Sequence, residues 1–231
     1  MDASYYQARF LGFVGVMFVA LLLLGNGQAV EAMGKPLSGW GSATIDGLMS
    51  PGEWDGADSF VFYVNDFHSS QGRPMTLFVM NDETHLYVAI RYTGNVYYGQ
   101  ESMIDLDSNG SHTVPDVGDD RWFVNHTLYP PLGTYTTTLD DQFITSCDTV
   151  TCFGTADGSD GGTLDVAAAV ASDGAYTYHE FAQPLNSGDG VHDVALQGND
   201  KIWLSGHVRL YDPLATRFDG TIPPVRVRIL K

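Results

Sequence analysis

Residues 105–116 carry the residue types and the spacing of a calcium-binding loop. The oxygen-bearing candidate ligands are Asp105, Asp107, Asn109, Ser111 and Asp116, followed directly by Asp119 and Asp120. Carboxylate and amide oxygens are the hard donors that Ca²⁺ prefers, and Gly110 supplies the sharp turn needed at the sixth position. No helical pattern flanks the stretch, so we expect a calcium loop that joins two β-strands. The alternative is an ordinary solvated turn, since Asp, Asn and Gly also dominate turns without a metal.

The histidines and the other carboxylates show no catalytic pattern. The H-E-x-x-H, G-x-S-x-G, P-loop and dinucleotide-binding motifs are all absent from the sequence. His179 and Glu180 are neighbours in a predicted strand, so their side chains should point to opposite faces. We therefore predict a non-catalytic protein. A pair of glycosidase carboxylates is the enzymatic alternative, although nothing in the sequence singles out two of the many acids.

Cys147 and Cys152 are the two cysteines of the chain. In a secreted protein such a pair usually forms a disulfide, and this one would close a short local loop. A zinc site would need further thiol or imidazole ligands at suitable spacing, and a c-type haem would need C-x-x-C-H. We therefore expect the disulfide.

The elements that must position these residues are short β-strands. Runs rich in β-branched and aromatic residues alternate with turn clusters, and no convincing amphipathic helix occurs after residue 41. Predicted strands cover residues 59–64, 75–80, 86–92, 102–106, 121–125, 135–139, 164–170, 176–181, 201–211 and 225–230. Residues 140–162, rich in Asp, Thr, Gly and Ser, read as a long exposed loop that holds the cysteines. About ten such strands without a dividing linker predict a single antiparallel β-sandwich.

The first 32 residues read as a secretory signal peptide. Arg9 precedes an apolar run over residues 10–25, and small residues follow at a position that a signal peptidase would cleave, after Ala32. A retained membrane anchor is the alternative, but the run is shorter than the ~20 apolar residues that span a bilayer. We therefore expect a secreted, extracellular domain over residues 33–231 that is not inserted in a membrane after cleavage.

The mature chain would be strongly acidic. After loss of residues 1–32 it keeps 10 of the 11 Lys and Arg and 26 of the 28 Asp and Glu, a net charge of −16. Such a surface repels phosphate backbones and anionic membranes. Binding to nucleic acid is therefore excluded, whereas binding of cations is favoured.

Four stretches, taken in order, resemble the family 9 carbohydrate-binding modules. The first is Ala-Thr-Ile-Asp-Gly at 43–47 with Glu53 and Trp54, which looks like an opening "IDG…EW" signature. The others are the hairpin at 81–89, the strand Tyr-His-Glu-Phe-Ala-Gln-Pro-Leu at 178–185, and residues 198–204 with Tyr211-Asp212. The resemblance covers nearly all of the mature chain. It implies a two-sheet, jelly-roll-like sandwich, bound calcium, and a polysaccharide or oligosaccharide as partner.

Sugar binding needs flat apolar faces beside convergent polar groups, and aromatic rings supply such faces. Our candidates are Trp122, which follows the predicted calcium loop, and the pair Tyr97 and Tyr98 in a Gly-bounded turn. Trp54, within the opening signature, is expected in the core.

Two alternatives come from other classes of protein. A haem-binding redox domain of similar fold would need axial ligands that face one pocket, and His68, Met75 and Met80 are the available side chains. A structural protein of the cell surface, which self-assembles, is the second alternative. The favoured interpretation is a secreted, calcium-stabilised, non-catalytic carbohydrate-binding domain.

Overall fold

The computed structural model describes residues 35–66, 72–94, 98–129, 133–149, 151–211 and 217–231. The chain divides into residues 1–35, of which only Lys35 is described, and one compact unit over residues 36–231. The predicted signal peptide therefore lies outside the described residues, and its cleavage stays a prediction. Within the described residues, no helix is long and apolar enough to cross a bilayer.

The described residues form eleven β-strands and one short 3₁₀ helix, Asp157–Ser159. The strands are β1 (Asp58–Asp66), β2 (Gly72–Asn81), β3 (His85–Thr93), β4 (Gly99–Leu106), β5 (Asp120–Tyr129), β6 (Thr134–Cys147), β7 (Cys152–Ala156), β8 (Ala167–Ser172), β9 (Tyr176–Pro184), β10 (Lys201–Tyr211) and β11 (Arg217–Arg228). The prediction of an all-β domain is confirmed, and all ten predicted strands correspond to observed ones. The long exposed loop predicted over residues 140–162 is wrong, because β6 runs on to Cys147 and β7 pairs with it.

Every strand pairing is antiparallel, and together the strands form one sheet in the order β7-β6-β5-β4-β10-β11-β1-β2-β3-β9-β8. The sheet curls so that β4 and β5 face β9. Ser102 on β4 lies 2.6 Å from the His179 ring on β9, and the Trp122 indole on β5 donates to Gln183 on β9 at 3.0 Å. Two faces of one curled sheet thus enclose the core as a sandwich does.

The main core lies between these two faces. On β10, buried Ile202, Leu204, Val208 and Leu210 alternate with more exposed neighbours, as a half-buried strand requires. Between Leu204 and Gly206 a bulge shifts the pairing, because Leu204 pairs with Val225 and Gly206 with Ile222, so the extra residue lies on β11 and the alternation along β10 continues.

A second, smaller cluster covers the outer face of β2, β3 and β9. Trp54, from the segment of residues 43–57, is buried here against Met80 and Tyr87 of the sheet. The expectation that Trp54 belongs to the core is confirmed, since only 6% of it is exposed.

Candidate metal centre and ligand-binding cleft

Within the predicted calcium loop, the polar side chains bond largely to the loop itself. Asp107 is buried, and its two carboxylate oxygens accept the backbone N–H groups of Ser111 and His112, each at 3.0 Å. Asn109 also accepts the Ser111 N–H, at 2.7 Å, and the Ser111 hydroxyl donates to a backbone carbonyl. Gly110 has φ +71°, the left-handed turn expected at the sixth position.

The remaining acids near the loop divide between different partners. Buried Asp105 accepts a hydrogen bond from Arg121 Nε at 2.6 Å, an ion pair across neighbouring strands. Asp119 accepts the N–H of Asp116 through one oxygen, while its other oxygen is buried without a partner. Burial, followed by the charges of Asp107, Asp105 and Asp116, raises the pKa of Asp119 to about 7. Among the described residues, two groups of three acidic or histidine side chains bring their ligand atoms within 4.8 Å of one another. Neither group includes Asp105, Asp107 or Asp116.

Asp120 is the residue of the predicted set that joins such a group, and its companions are Asp141 and Asp193. Asp120 begins β5, Asp141 lies on the adjacent β6, and Asp193 comes from the segment between β9 and β10. Because Asp141 pairs with Trp122, which is two residues from Asp120, both carboxylates point to the inner face of the sheet. The segment before β10 then brings the third carboxylate over the sheet.

All three carboxylates of this group are withdrawn from water, with 0% of Asp120, 1% of Asp141 and 6% of Asp193 exposed. Both oxygens of Asp120, both of Asp193 and one of Asp141 lack a hydrogen bond of normal geometry, although Gln183 and the Val194 backbone approach Asp120 and Ser187 approaches Asp193. The other oxygen of Asp141 accepts the backbone N–H groups of Asp165 and Val166. Buried acceptors of this kind are costly unless something neutralises them.

The pKa values of these three carboxyl groups are all raised, as expected when no nearby positive charge compensates them. Burial and the neighbouring carboxylates of Asp141 and Asp193 raise the pKa of Asp120 well above its ordinary range. Burial likewise raises the pKa of Asp141 to about 7, and the pKa of Asp193 is raised by burial and by nearby acids. Three carboxylates that share one dry space are the donor set of a hard divalent cation, and Ca²⁺ fits them by charge and by ligand type.

The predicted sugar-binding residues have separate locations. Trp122 is fully buried, so the structure gives its ring no open face on which a sugar could stack. Tyr98 directly precedes β4 and is 36% exposed, and Tyr97 lies outside the described residues. Burial of Trp122 follows from its inward position on β5, where its indole N–H is satisfied by Gln183.

Trp40, by contrast, is 43% exposed and forms one wall of a cleft of about 280 Å³. Leu185 and Leu230 contribute apolar surface, and Asp82, Glu83 and Lys231 place charged groups beside it. Asp82 is held in place because Thr84, His85 and Tyr87 all donate hydrogen bonds to it. The cleft thus combines a partly exposed tryptophan with charged groups.

A wider and shallower concavity of about 480 Å³ lies on the outer face of the sheet, beside β1, β10 and β11. Tyr63, 60% exposed, stands next to His207, Asp219 and Thr221. Asp219 is already engaged by ion pairs with His207, Arg209 and Arg217. The charged groups of this concavity are therefore paired with one another as ions.

The proposed haem ligands do not share a pocket. Met75 is buried in the main core and Met80 in the smaller cluster on the opposite face of β2. His68 lies outside the described residues. The described part of the chain therefore does not support the haem alternative through these two methionines.

The disulfide between Cys147 and Cys152 is confirmed. It links the end of β6 to the start of β7 at an edge of the sheet, where both cysteines pair across the strands.

Sequence reasoning missed Asp141, Asp193 and the contribution of Trp40. Asp141 and Asp193 are separated from Asp120 by tens of residues, so no local spacing connects them. The sequence does contain a compositional signal for an acidic site, since residues 140–160 hold five aspartates and residues 186–193 hold two. Trp40 was passed over because it precedes the first predicted strand.

No family profile matches the sequence, and no curated protein matches it. Solved structures with a similar fold include a family 9 carbohydrate-binding module from Caldicellulosiruptor kristjanssonii in complex with glucose. That structure has 15% sequence identity and a TM-score of 0.49, and the match covers 81% of this chain and 85% of the module. A complex of a family 9 module from the same organism with cellotriose gives 14% identity, a TM-score of 0.49 and coverage of 81% and 84%.

Proposed function

We propose that the chain is a secreted, non-catalytic domain that binds carbohydrate at the Trp40 cleft and is stabilised by Ca²⁺. The observation that carries the proposal is the exposure of Trp40 in a cleft that it shares with Glu83, Lys231 and the fixed carboxylate of Asp82. A pyranose ring presents apolar C–H faces that stack on an indole and hydroxyl edges that bond to charged groups. A cleft of about 280 Å³ suits one or two sugar rings rather than a long chain lying in a groove.

The calcium would act on the fold rather than on the sugar. Asp120, Asp141 and Asp193 would hold the ion, and their oxygens without partners are the observation that supports the fit. The ion would supply the positive charge that these three carboxylates need, and would join β5, β6 and the segment before β10. Calcium binding by the loop of residues 105–116 remains a separate prediction.

The proposed lack of catalysis is supported by the location of the serine–histidine pair formed by Ser102 and His179. Ser102 Oγ lies 2.6 Å from His179 Nδ1, a pair that could in principle activate a nucleophile. Both residues are buried, with 0% exposed, between the faces of the sandwich, and burial lowers the pKa of His179 to about 3. Since substrate cannot reach this pair, we assign it to the core.

The decisive experiment is a glycan array, followed by titration calorimetry with the best ligand. We expect Trp40→Ala to weaken binding at least about fivefold, since stacking on one aromatic ring is worth ~1–3 kcal/mol. Tyr63→Ala is the matched control, because it removes an exposed aromatic ring from the other concavity. Loss of binding with Tyr63→Ala alone would move the site to that face, and an array without any retained glycan would refute carbohydrate binding.

A further inference from the structure

A second group of metal-ligand side chains lies close to the first, but it contains a nitrogen donor. Asp157, Asp189 and His192 each present a ligand atom within 4.8 Å of the others. Asp157 begins the 3₁₀ helix Asp157–Ser159, while Asp189 and His192 belong to the segment between β9 and β10. Two distant parts of the chain therefore converge on one point.

Asp157 is the side chain that an ordinary surface cluster of acids does not explain. It is 1% exposed, no N–H or hydroxyl group donates to either of its carboxylate oxygens, and the carboxyl group beside it is that of Asp193. A carboxylate in this position is strongly disfavoured unless a cation completes its surroundings. The lack of hydrogen-bond donors to Asp157 is an observation separate from the closeness of the three side chains, because Asp157 could accept hydrogen bonds and still lie equally close to His192.

The histidine ring is oriented as metal-binding imidazoles usually are. His192 is 7% exposed, with Nδ1 3.0 Å from the nearer oxygen of Asp189 and Nε2 3.6 Å from Asp160 Oδ2. One ring nitrogen thus faces the group while the other faces an outer carboxylate. At 3.6 Å this exposed carboxylate is beyond hydrogen-bonding distance, so it would have to move closer to fix the ring as a metal ligand.

Gly162 provides the room that the group occupies. A Cβ atom on Gly162 would lie 2.4 Å from Asp189 Oδ2, 2.8 Å from His192 Nδ1 and 3.0 Å from Asp157 Cβ. Only glycine therefore lets the backbone approach all three side chains. The Gly162 N–H also donates to the Asp157 carbonyl at 2.8 Å, which fixes the turn that presents the carboxylate.

We propose that Asp157, Asp189 and His192 form a binding site for a divalent transition metal, with Zn²⁺ as its representative ion. Two carboxylates with one imidazole are a mixed oxygen and nitrogen donor set, which suits Zn²⁺ and its neighbours better than Ca²⁺. The Asp120 group offers oxygen alone and suits Ca²⁺. The domain would then carry two neighbouring sites of different selectivity, a property that does not depend on whether it binds sugar.

The test titrates Zn²⁺ into the chelator-treated full chain in excess Ca²⁺. We expect one Zn²⁺ per chain, and we expect Asp157→Asn and His192→Ala each to weaken binding at least about tenfold, the smallest loss typical of a disturbed metal site. His85→Ala and Asp55→Asn are matched controls outside the group and should bind as the unaltered chain does. Asp120→Asn should bind Zn²⁺ normally.

Unaltered Zn²⁺ affinity in both Asp157→Asn and His192→Ala would overturn the proposal, as would full displacement of Zn²⁺ by Ca²⁺. X-ray absorption at the zinc edge of the unaltered chain gives a readout that does not require a variant to fold. We expect scattering from one imidazole beside oxygen ligands, and a spectrum without imidazole would contradict the site.

Discussion

Trp54 Nε1 donates a hydrogen bond of 3.0 Å to Glu180 Oε1, across 126 residues of sequence. The other oxygen of Glu180 accepts the N–H of Gly47 at 2.8 Å. Gly47 and Trp54 belong to the opening motif of the chain, and Glu180 to the motif on β9. Two of the stretches that resemble family 9 modules therefore meet at one buried carboxylate, and they hold residues 43–57 over the outer face of the sheet.

Removing the indole donor should destabilise this junction. Trp54→Phe keeps a ring in the smaller cluster but takes one hydrogen bond from a buried carboxylate, so we expect the free energy of unfolding to fall by about 1.5–3 kcal/mol. Urea unfolding at neutral pH measures the change. Trp40→Phe, at an exposed indole, is the control and should change stability by no more than about 0.5 kcal/mol. Equal effects of the two substitutions would contradict the role of the Glu180 bond.

Glu180 should also make stability depend on pH. Burial raises its pKa in the folded chain to about 7, above the ~4.3 of an unfolded glutamate. Between these values the folded state binds more protons than the unfolded state, so the free energy of unfolding should fall as pH rises from about 4 to about 7 and then level off. Glu180→Gln should remove this component. Urea unfolding of both proteins in excess Ca²⁺ checks it, and parallel pH profiles would contradict it.

The fold was predictable because alternation along single strands is local information. β10 shows this directly, since its apolar residues keep the same inward positions along the whole strand, even where the pairing with β11 is bulged. The sequence does not predict β7 because Cys152–Ala156 is only five residues long and contains Gly154, so it gains its strand geometry from pairing with β6 rather than from its own propensity.

The candidate sites were less predictable because they depend on contacts between distant segments. Asp120 was named through its place after the loop, but its partners Asp141 and Asp193 come from β6 and from the segment before β10. The spacing of residues 105–116 identified a real turn around Gly110. It could not show that Arg121 would pair with Asp105, because Arg121 belongs to the next strand.

The disulfide should contribute a modest amount of stability. Cys147 and Cys152 are five positions apart, and the entropy of closing so short a loop corresponds to about 2 kcal/mol. Replacing both cysteines by serine should lower the free energy of unfolding by up to that amount while the rest of the sheet persists. Thermal melts and circular dichroism measure this. Global loss of β-structure in the double variant would show that the β6–β7 edge has a larger role than its position suggests.

The position of calcium can be tested by a substitution that has opposite effects with and without the ion. Asp141→Asn removes one charge from the buried group but keeps an oxygen for the Asp165 and Val166 N–H groups. In chelator, the variant should melt at a higher temperature than the unaltered chain, because carboxylate repulsion is relieved. In Ca²⁺ the order should reverse, since the unaltered chain gains about 2.7 kcal/mol at a hundredfold excess over Kd.

Asp107→Asn is the matched variant in the predicted loop, where both oxygens of Asp107 already accept backbone N–H groups. It should lose some stability in both conditions but keep the response to Ca²⁺ that comes from the Asp120 group, because its carboxylate lies outside that group. If Asp107→Asn abolished the response while Asp141→Asn retained it, calcium would belong to residues 105–116. The buried group would then have to be satisfied by protons, since burial already raises the pKa of Asp141 to about 7.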